Sequence, residues 1–132
     1  MCSPGFADKA AIDTPAALAR AELLIERPEL WRRWFAHAGL TAEPTLEGPV
    51  IADASLALEA ALRGQGVALT CSLAAAPAIA RGDLVAPIDV SLRSGRRWWA
   101  LWRQGSARTT MGILDWCLAE LHAIQTAHMD LV

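Results

Sequence analysis

Two short turns hold the residues best placed to do chemistry. Asp53-Ala54-Ser55 follows the apolar run Pro49–Ala52, and Cys71-Ser72 follows Gly66–Thr70. Each turn joins the end of a predicted strand to the start of a predicted helix. Open α/β sheets bind ligands beyond the carboxyl ends of their strands, where helix N-termini offer free N–H groups and a partial positive charge suited to carboxylates. Ala54, Ser55, Cys71 and Ser72 are therefore candidate contacts through hydroxyls and backbone N–H groups. Ser55 and Ser72 read equally well as helix caps, a common role for serine. Asp53 reads as a cap, because its charge would repel an anionic ligand.

The remaining reactive groups point away from catalysis. His37, His122 and His128 are isolated, with no cysteine or carboxylate at metal-ligand spacing. Cys2, Cys71 and Cys117 are widely spaced and form no CxxC pair, the usage expected of reduced thiols in a cytoplasm. A helix N-terminus would activate Cys71, but a nucleophile also needs a base, and no histidine is tied to it by sequence. No catalytic residue, metal or cofactor is expected. Gly64-Gln65-Gly66 follows a helix and precedes a strand, the reverse of a pyrophosphate loop. Arg96-Arg97-Trp98-Trp99 with Trp102-Arg103 has the composition of a single-strand nucleic-acid platform; it also reads as a packed strand with alternating apolar and charged faces. A net charge of −2 and a pI near 5.9 argue against a nucleic-acid binder. The charge is uneven: residues 1–90 hold 11 acids and 7 bases, and residues 91–132 hold 3 acids and 5 bases.

The elements that must position these residues follow from caps and periodicity. With 132 residues, 54% of them apolar and 20% charged, the chain is expected to form one globular domain, or one lobe plus a piece of another. Asp8 and Lys9 interrupt any leader-like start, and no uncharged apolar run is long enough to span a membrane. Thr14-Pro15 opens a short helix, Leu23–Ile25 reads as a strand, and Pro28–Ala38 as a helix closed by Gly39. In that helix Leu30, Trp31, Trp34, Phe35 and Ala38 form the apolar face. Pro49–Ala52 reads as a strand. Asp53 or Ser55 then caps a helix to about Arg63, with Leu56, Leu58, Ala61 and Leu62 expected to be buried. Gly66–Thr70 reads as a strand, Ser72 as the cap of a helix Leu73–Ala80, and Leu84–Ile88 as a further strand. Arg97–Arg103 is bulky enough for a strand, and a long helix is predicted over 109–127. Alternating strands and helices with glycine-marked turns predict an α/β fold with a mixed sheet and flanking helices.

The segment from Asp53 through Glu59, Gly64 and Gly66 to Leu69 resembles a characteristic stretch of LysR-type bacterial transcription regulators, closest to the subgroup of the glycine-cleavage activator. Cys2-Ser3-Pro4, Thr14–Leu18, Trp31–Phe35 with Ala38-Gly39-Leu40, Gly82–Pro87 and Ile113–Leu118 fit the same template in the same order.

The resemblance implies a periplasmic-binding-protein-like (type II) sensor built from two α/β lobes, of which one is incomplete here. Residues 1–96 would be the second effector-binding lobe. Residues 97–127 would be a crossover strand and helix belonging to the first, and 128–132 a tail. The winged helix-turn-helix would precede Met1, so the chain is expected to be truncated at its N-terminus and unable to bind DNA alone. It adds Cys2, Ser3 and Pro4 to Ala54, Ser55, Cys71 and Ser72 as cleft-lining candidates. It also implies a small-molecule effector such as an amino acid or small carboxylate, side-by-side pairing into a homo-oligomer, and no enzymatic activity. An alternative is a protein-interaction or dimerisation fragment, or a decayed remnant, that binds no ligand of its own.

Overall fold

The structure is a computed structural model that describes residues 1–42, 44–93, 99, 101 and 108–129, with side chains in the last stretch described for 111–123. The chain divides into two compact units, Met1–Ser94 and Gly95–Val132.

The first unit is built on a sheet with two paired strands, β1 (Leu23–Leu24) and β2 (Val67–Ala68), which run parallel with Leu23 opposite Val67 and Leu24 opposite Ala68. Hydrogen bonds widen it on both sides. Beyond β1, Ile25 bridges Val50 in parallel, the Ile25 N–H donates to Pro49 O, and the Ile51 N–H donates to Ile25 O. Beyond β2, the Met1 amino group donates to Ala68 O at 2.7 Å and the Ala68 N–H returns to Met1 O at 2.9 Å. This reciprocal exchange is the pattern of antiparallel neighbours. Cys2 bridges Val85 in the antiparallel sense. The sheet is thus mixed: residues 1–2 run against the segments on either side.

Caps set the helices. α1 (Pro4–Ala10) starts with Ser3, whose Oγ accepts the Phe6 N–H, and stops at Ala11 in a left-handed conformation. α2 (Pro15–Leu18) is capped by Thr14, whose Oγ1 accepts the Ala17 N–H at 3.2 Å. α3 (Pro28–His37), α4 (Ala54–Leu62) and α5 (Ser72–Ala80) complete the first unit's helices among the described residues.

The strand alternation sorts the core into two layers, one per face. Leu23, Ile25 and Val67 join Trp31, Trp34, Phe35, Ile12, Leu18 and Cys2. Leu24 and Ala68 join Ala57, Ala61, Ala75, Ala78 and Leu84. The first layer is filled by aromatic bulk, with Trp31 and Phe35 stacked at 5.6 Å and Trp34 edge-on to Phe35 at 5.3 Å. The second is filled by alanines, so α4 and α5 lie close to the sheet.

Several sequence expectations shift. Pro49–Ala52 and Leu84–Ile88 do not form strands; each makes a single bridge, at Val50 and Val85. The buried face of α4 is Ala57 and Ala61, while Leu58 and Leu62 are half-buried and Leu56 is 62% exposed. Small side chains four residues apart fit the alanine layer, Leu58 and Leu62 pack against its margin, and Leu56 is turned out of it. Cys71, not Ser72, is the N-cap of α5, because the helix begins one residue earlier than expected. α1 is absent from the sequence expectations, although Ser3-Pro4 carries the same cap-and-proline start as Thr14-Pro15.

Gly66 is, with Gly48, whose Cβ would run into the Leu23 backbone, a position where the chain has little choice. Its φ is +156°, and a Cβ there would lie 2.7 Å from the Glu22 carbonyl oxygen, where β2 is held against β1. Any side chain would push the two apart.

The second unit contains α6 (Arg108–Met129). Leu114, Cys117 and Leu121 are half-buried on one stripe, whereas Met111, Ile113, Trp116 and Leu118 are exposed. The helix continues through His128 and Met129, where the sequence suggests a tail. The strand expected at 97–103 lies outside the described residues except for Trp99 and Leu101, both exposed and neither in a strand.

Candidate functional site

Because the segment at 50–51, β1 and β2 run parallel, their carboxyl ends share one edge of the sheet. Three helices start from that edge: α3 after Arg27, α4 after Asp53 and α5 after Cys71. The structure therefore gathers Ala54, Ser55, Cys71 and Ser72 on the same side, all exposed.

The helix N-termini at this edge differ. Asp53 Oδ1 accepts the backbone N–H of Ser55 at 2.7 Å and of Leu56 at 3.2 Å. These donors, the Ser55 backbone first, then Leu56 and the Ser55 side chain, hold the Asp53 carboxyl below its ordinary pKa. The start of α4 is thus already served by an anion of the protein. α5 begins with no side-chain cap: Cys71 makes no capping hydrogen bond. Its first N–H groups are the better placed to meet an acceptor from outside.

Arg27, which no sequence motif singles out, sits at the N-cap of α3 without capping it. Its Nε is 3.2 Å from Glu26 Oε1, yet this buried atom has no aligned hydrogen bond. The short distance is an ion pair rather than a directed bond. The sequence signal was a basic residue between a predicted strand and a helix-opening proline.

The structure does not bring Cys2, Ser3 and Pro4 to this edge. Cys2 is fully buried inside the sheet, and burial pushes its thiol pKa up. Ser3 caps α1, and its Oγ lies beside Gly64, just past the far end of α4. A nine-residue helix is about 13 Å long, which separates Ser3 from Ser55 by roughly that span. The cause is the antiparallel direction of residues 1–2: the chain leaves Cys2 at the edge where the parallel strands begin.

Two surface hollows lie elsewhere, one between α2 and the loop near Leu40 and Glu47, the other between the end of α1 and Val85. Neither includes a candidate residue. His37 and His122 are exposed, on α3 and α6. Among the described residues no group of three or more His, Cys, Asp or Glu is placed to hold a metal, and no helix is long and apolar enough to cross a membrane.

A mixed α/β sheet with helix N-termini collected at the carboxyl edge of its parallel strands is the architecture of a ligand-binding lobe. The sequence pattern of the LysR substrate binding domain matches residues 1–122, and the chain belongs to that family. It is 33% identical over 128 residues to the HTH-type transcriptional activator AmpR of Pseudomonas aeruginosa, covering 95% of this chain and 42% of that protein. It is 29% identical over 129 residues to the glycine cleavage system transcriptional activator of Escherichia coli strain K12, again covering 95% and 42%. The crystallographic effector domain of the Pseudomonas aeruginosa AmpR superposes with a TM-score of 0.58 at 33% identity, over 66% of this chain and 41% of that one. The chain spans less than half the length of these relatives, which are transcriptional activators. The family resemblance read from Asp53–Leu69 is borne out.

Proposed function

We propose that residues 1–96 are an effector-sensing lobe of a cytoplasmic LysR-type regulator and that the effector binds at the edge formed by Ala54, Ser55, Cys71 and Ser72. The observation that carries this reading is the uncapped start of α5, exposed at the shared carboxyl edge of the parallel strands in a chain of a substrate-binding family. The uncapped N-terminus favours an anionic group, so an amino acid or small carboxylate is the expected class. Cys2, Ser3 and Pro4 drop out of the proposed contact set because they lie at the other edge. Residues 97–127 would supply a crossover strand and helix to a first lobe that is incomplete in this chain. DNA binding would be the work of a helix-turn-helix outside residues 1–132. Effector binding that favours one arrangement of the two lobes over another would shift the regulator between states on DNA.

The test is a thermal melt of the chain alone and with a panel of amino acids and small carboxylates. A ligand at 100 times its Kd adds about 2.7 kcal/mol and raises Tm by several degrees. A shift confined to one class of compound supports the reading. A cooperative melt unmoved by every compound counts against binding by this lobe alone.

A second reading, self-association, is favoured by the exposed Met111, Ile113, Trp116 and Leu118 on α6. A single helix that shows this much apolar surface is suited to packing against another chain. Light scattering that gives a monomer at high concentration would remove it.

A further inference from the structure

We infer that Trp34 is a latch that holds residues 88–92, a strap at the end of the first unit's described residues, against the aromatic layer, and that the strap can open while the sheet stays closed. The Trp34 indole N–H donates to Val90 O at 3.0 Å, across 56 positions of sequence. Ile88, Val90 and Leu92 pack against the aromatic layer, while Asp89, Ser91 and Arg93 face outward. The strap therefore presents alternate residues to the core as a strand does, but it pairs with no strand among the described residues. Apart from those side chains and the Val90 N–H turning back to Ile88 O, its one described hydrogen bond to the rest of the unit is the one from Trp34.

Upstream of the strap, the next firm anchor is Val85, which exchanges both backbone hydrogen bonds with Cys2. With the latch open, residues 86–92 lose their hold beyond Val85, and these seven residues can extend to roughly 23–25 Å. Trp34 itself is fixed: it is 4% exposed, stands edge-on to Trp31 at 6.3 Å and meets Phe35. Trp31 ties the same helix to β1 by donating to Leu24 O. Opening is thus a movement of the strap away from a fixed donor. α3 begins at the carboxyl end of β1, so the helix that carries the latch also starts at the proposed effector edge; this last link, and not the latch, rests on the proposed function.

The test uses the whole chain without ligand. Native-state chymotrypsin cleavage after Leu92 and hydrogen exchange over 88–93 are compared for the parent, Trp34→Phe and Ile88→Ala. Phe removes the donor and keeps one aromatic ring, leaving a small cavity where the second ring stood; Ile88→Ala loosens the strap and leaves α3 intact, should Trp34→Phe fold poorly. Loss of one neutral hydrogen bond predicts opening about five- to ten-fold more frequent, confined to the strap, with β1 and β2 unchanged. Unchanged cleavage in both variants, acceleration spread equally over β1 and β2, or a parent strap that cleaves as fast as unfolded chain would each overturn the latch. Since no ligand is involved, failure of the effector reading would show only in the ligand melts.

Discussion

Asp53 Oδ1 receives the Ser55 backbone N–H at 2.7 Å, so the protein's own carboxylate occupies the start of α4. Replacing it with alanine is expected to lower Tm by a few degrees, as loss of a cap does, and asparagine should restore most of the loss. The Asp53 pKa is lower in the folded chain than in the unfolded one, so its contribution is present above the ordinary carboxylate pKa and is lost as pH falls through the depressed value. The Tm difference between the parent and Asp53→Asn should therefore shrink toward pH 3. A difference that grows on acidification would contradict the capping geometry.

The Met1 amino group gives a dependence of the same sign in a higher pH window. Desolvation lowers its pKa to about 6 from 8.0, with the Cys2 thiol opposing. Above pH 8 both states are neutral and nothing is lost. Between pH 8 and 6 the unfolded chain takes up a proton that the folded chain refuses, and stability falls on the order of 2–3 kcal/mol before levelling below pH 6. Urea melts of the chain starting at Met1 should show this slope. One added upstream residue, which turns the amine into an amide, should abolish it.

Burial within α4 separates two substitutions that look alike in sequence. Ala61 is fully buried in the alanine layer, and Leu56 is mostly exposed. Ala61→Leu is expected to cost about 1–3 kcal/mol through overpacking, and Leu56→Ala less than about 0.5 kcal/mol. The reverse ranking in chemical denaturation would mean that α4 presents the leucine face to the sheet.

Gly66→Ala is expected to destabilise the chain, because it adds a methyl 2.7 Å from Glu22 O at a positive φ. Gly5→Ala, which meets nothing within 4 Å inside α1, should be neutral or slightly stabilising. Comparing their melts separates backbone crowding from a general sensitivity to glycine loss.

The two edges of the sheet make a contrast for ligand binding. For any compound that raises the parent Tm, Ser72→Ala should reduce the shift, while Ser3→Ala should lower the baseline Tm as a lost cap and leave the shift intact. Equal loss in both would place the ligand away from the α5 start.

What the sequence determined was local. Thr14-Pro15 and Asp53 name their own helix starts, because a side-chain acceptor and a fixed φ act within a few residues. The spacing of Trp31, Trp34 and Phe35 predicts the buried face of α3, because bulky apolar groups leave it no other face to bury. The turns at Asp53-Ala54-Ser55 and Cys71-Ser72 were legible as strand-to-helix joints for the same reason. Only the tertiary structure decided what depends on partners far along the chain. The direction of residues 1–2 is set by hydrogen bonds to Ala68 and Val85, and it carries Ser3 to the edge away from Ser55 and Ser72. The face of α4 is set by the alanines of α5 and the sheet, which leave room for Ala57 and Ala61 but not for Leu56. The role of Trp34 depends on a carbonyl 56 residues away, which no local pattern encodes. Caps and helix periodicity are short-range forces written in neighbouring residues; strand direction, layer thickness and long-range hydrogen bonds exist only once the sheet has assembled.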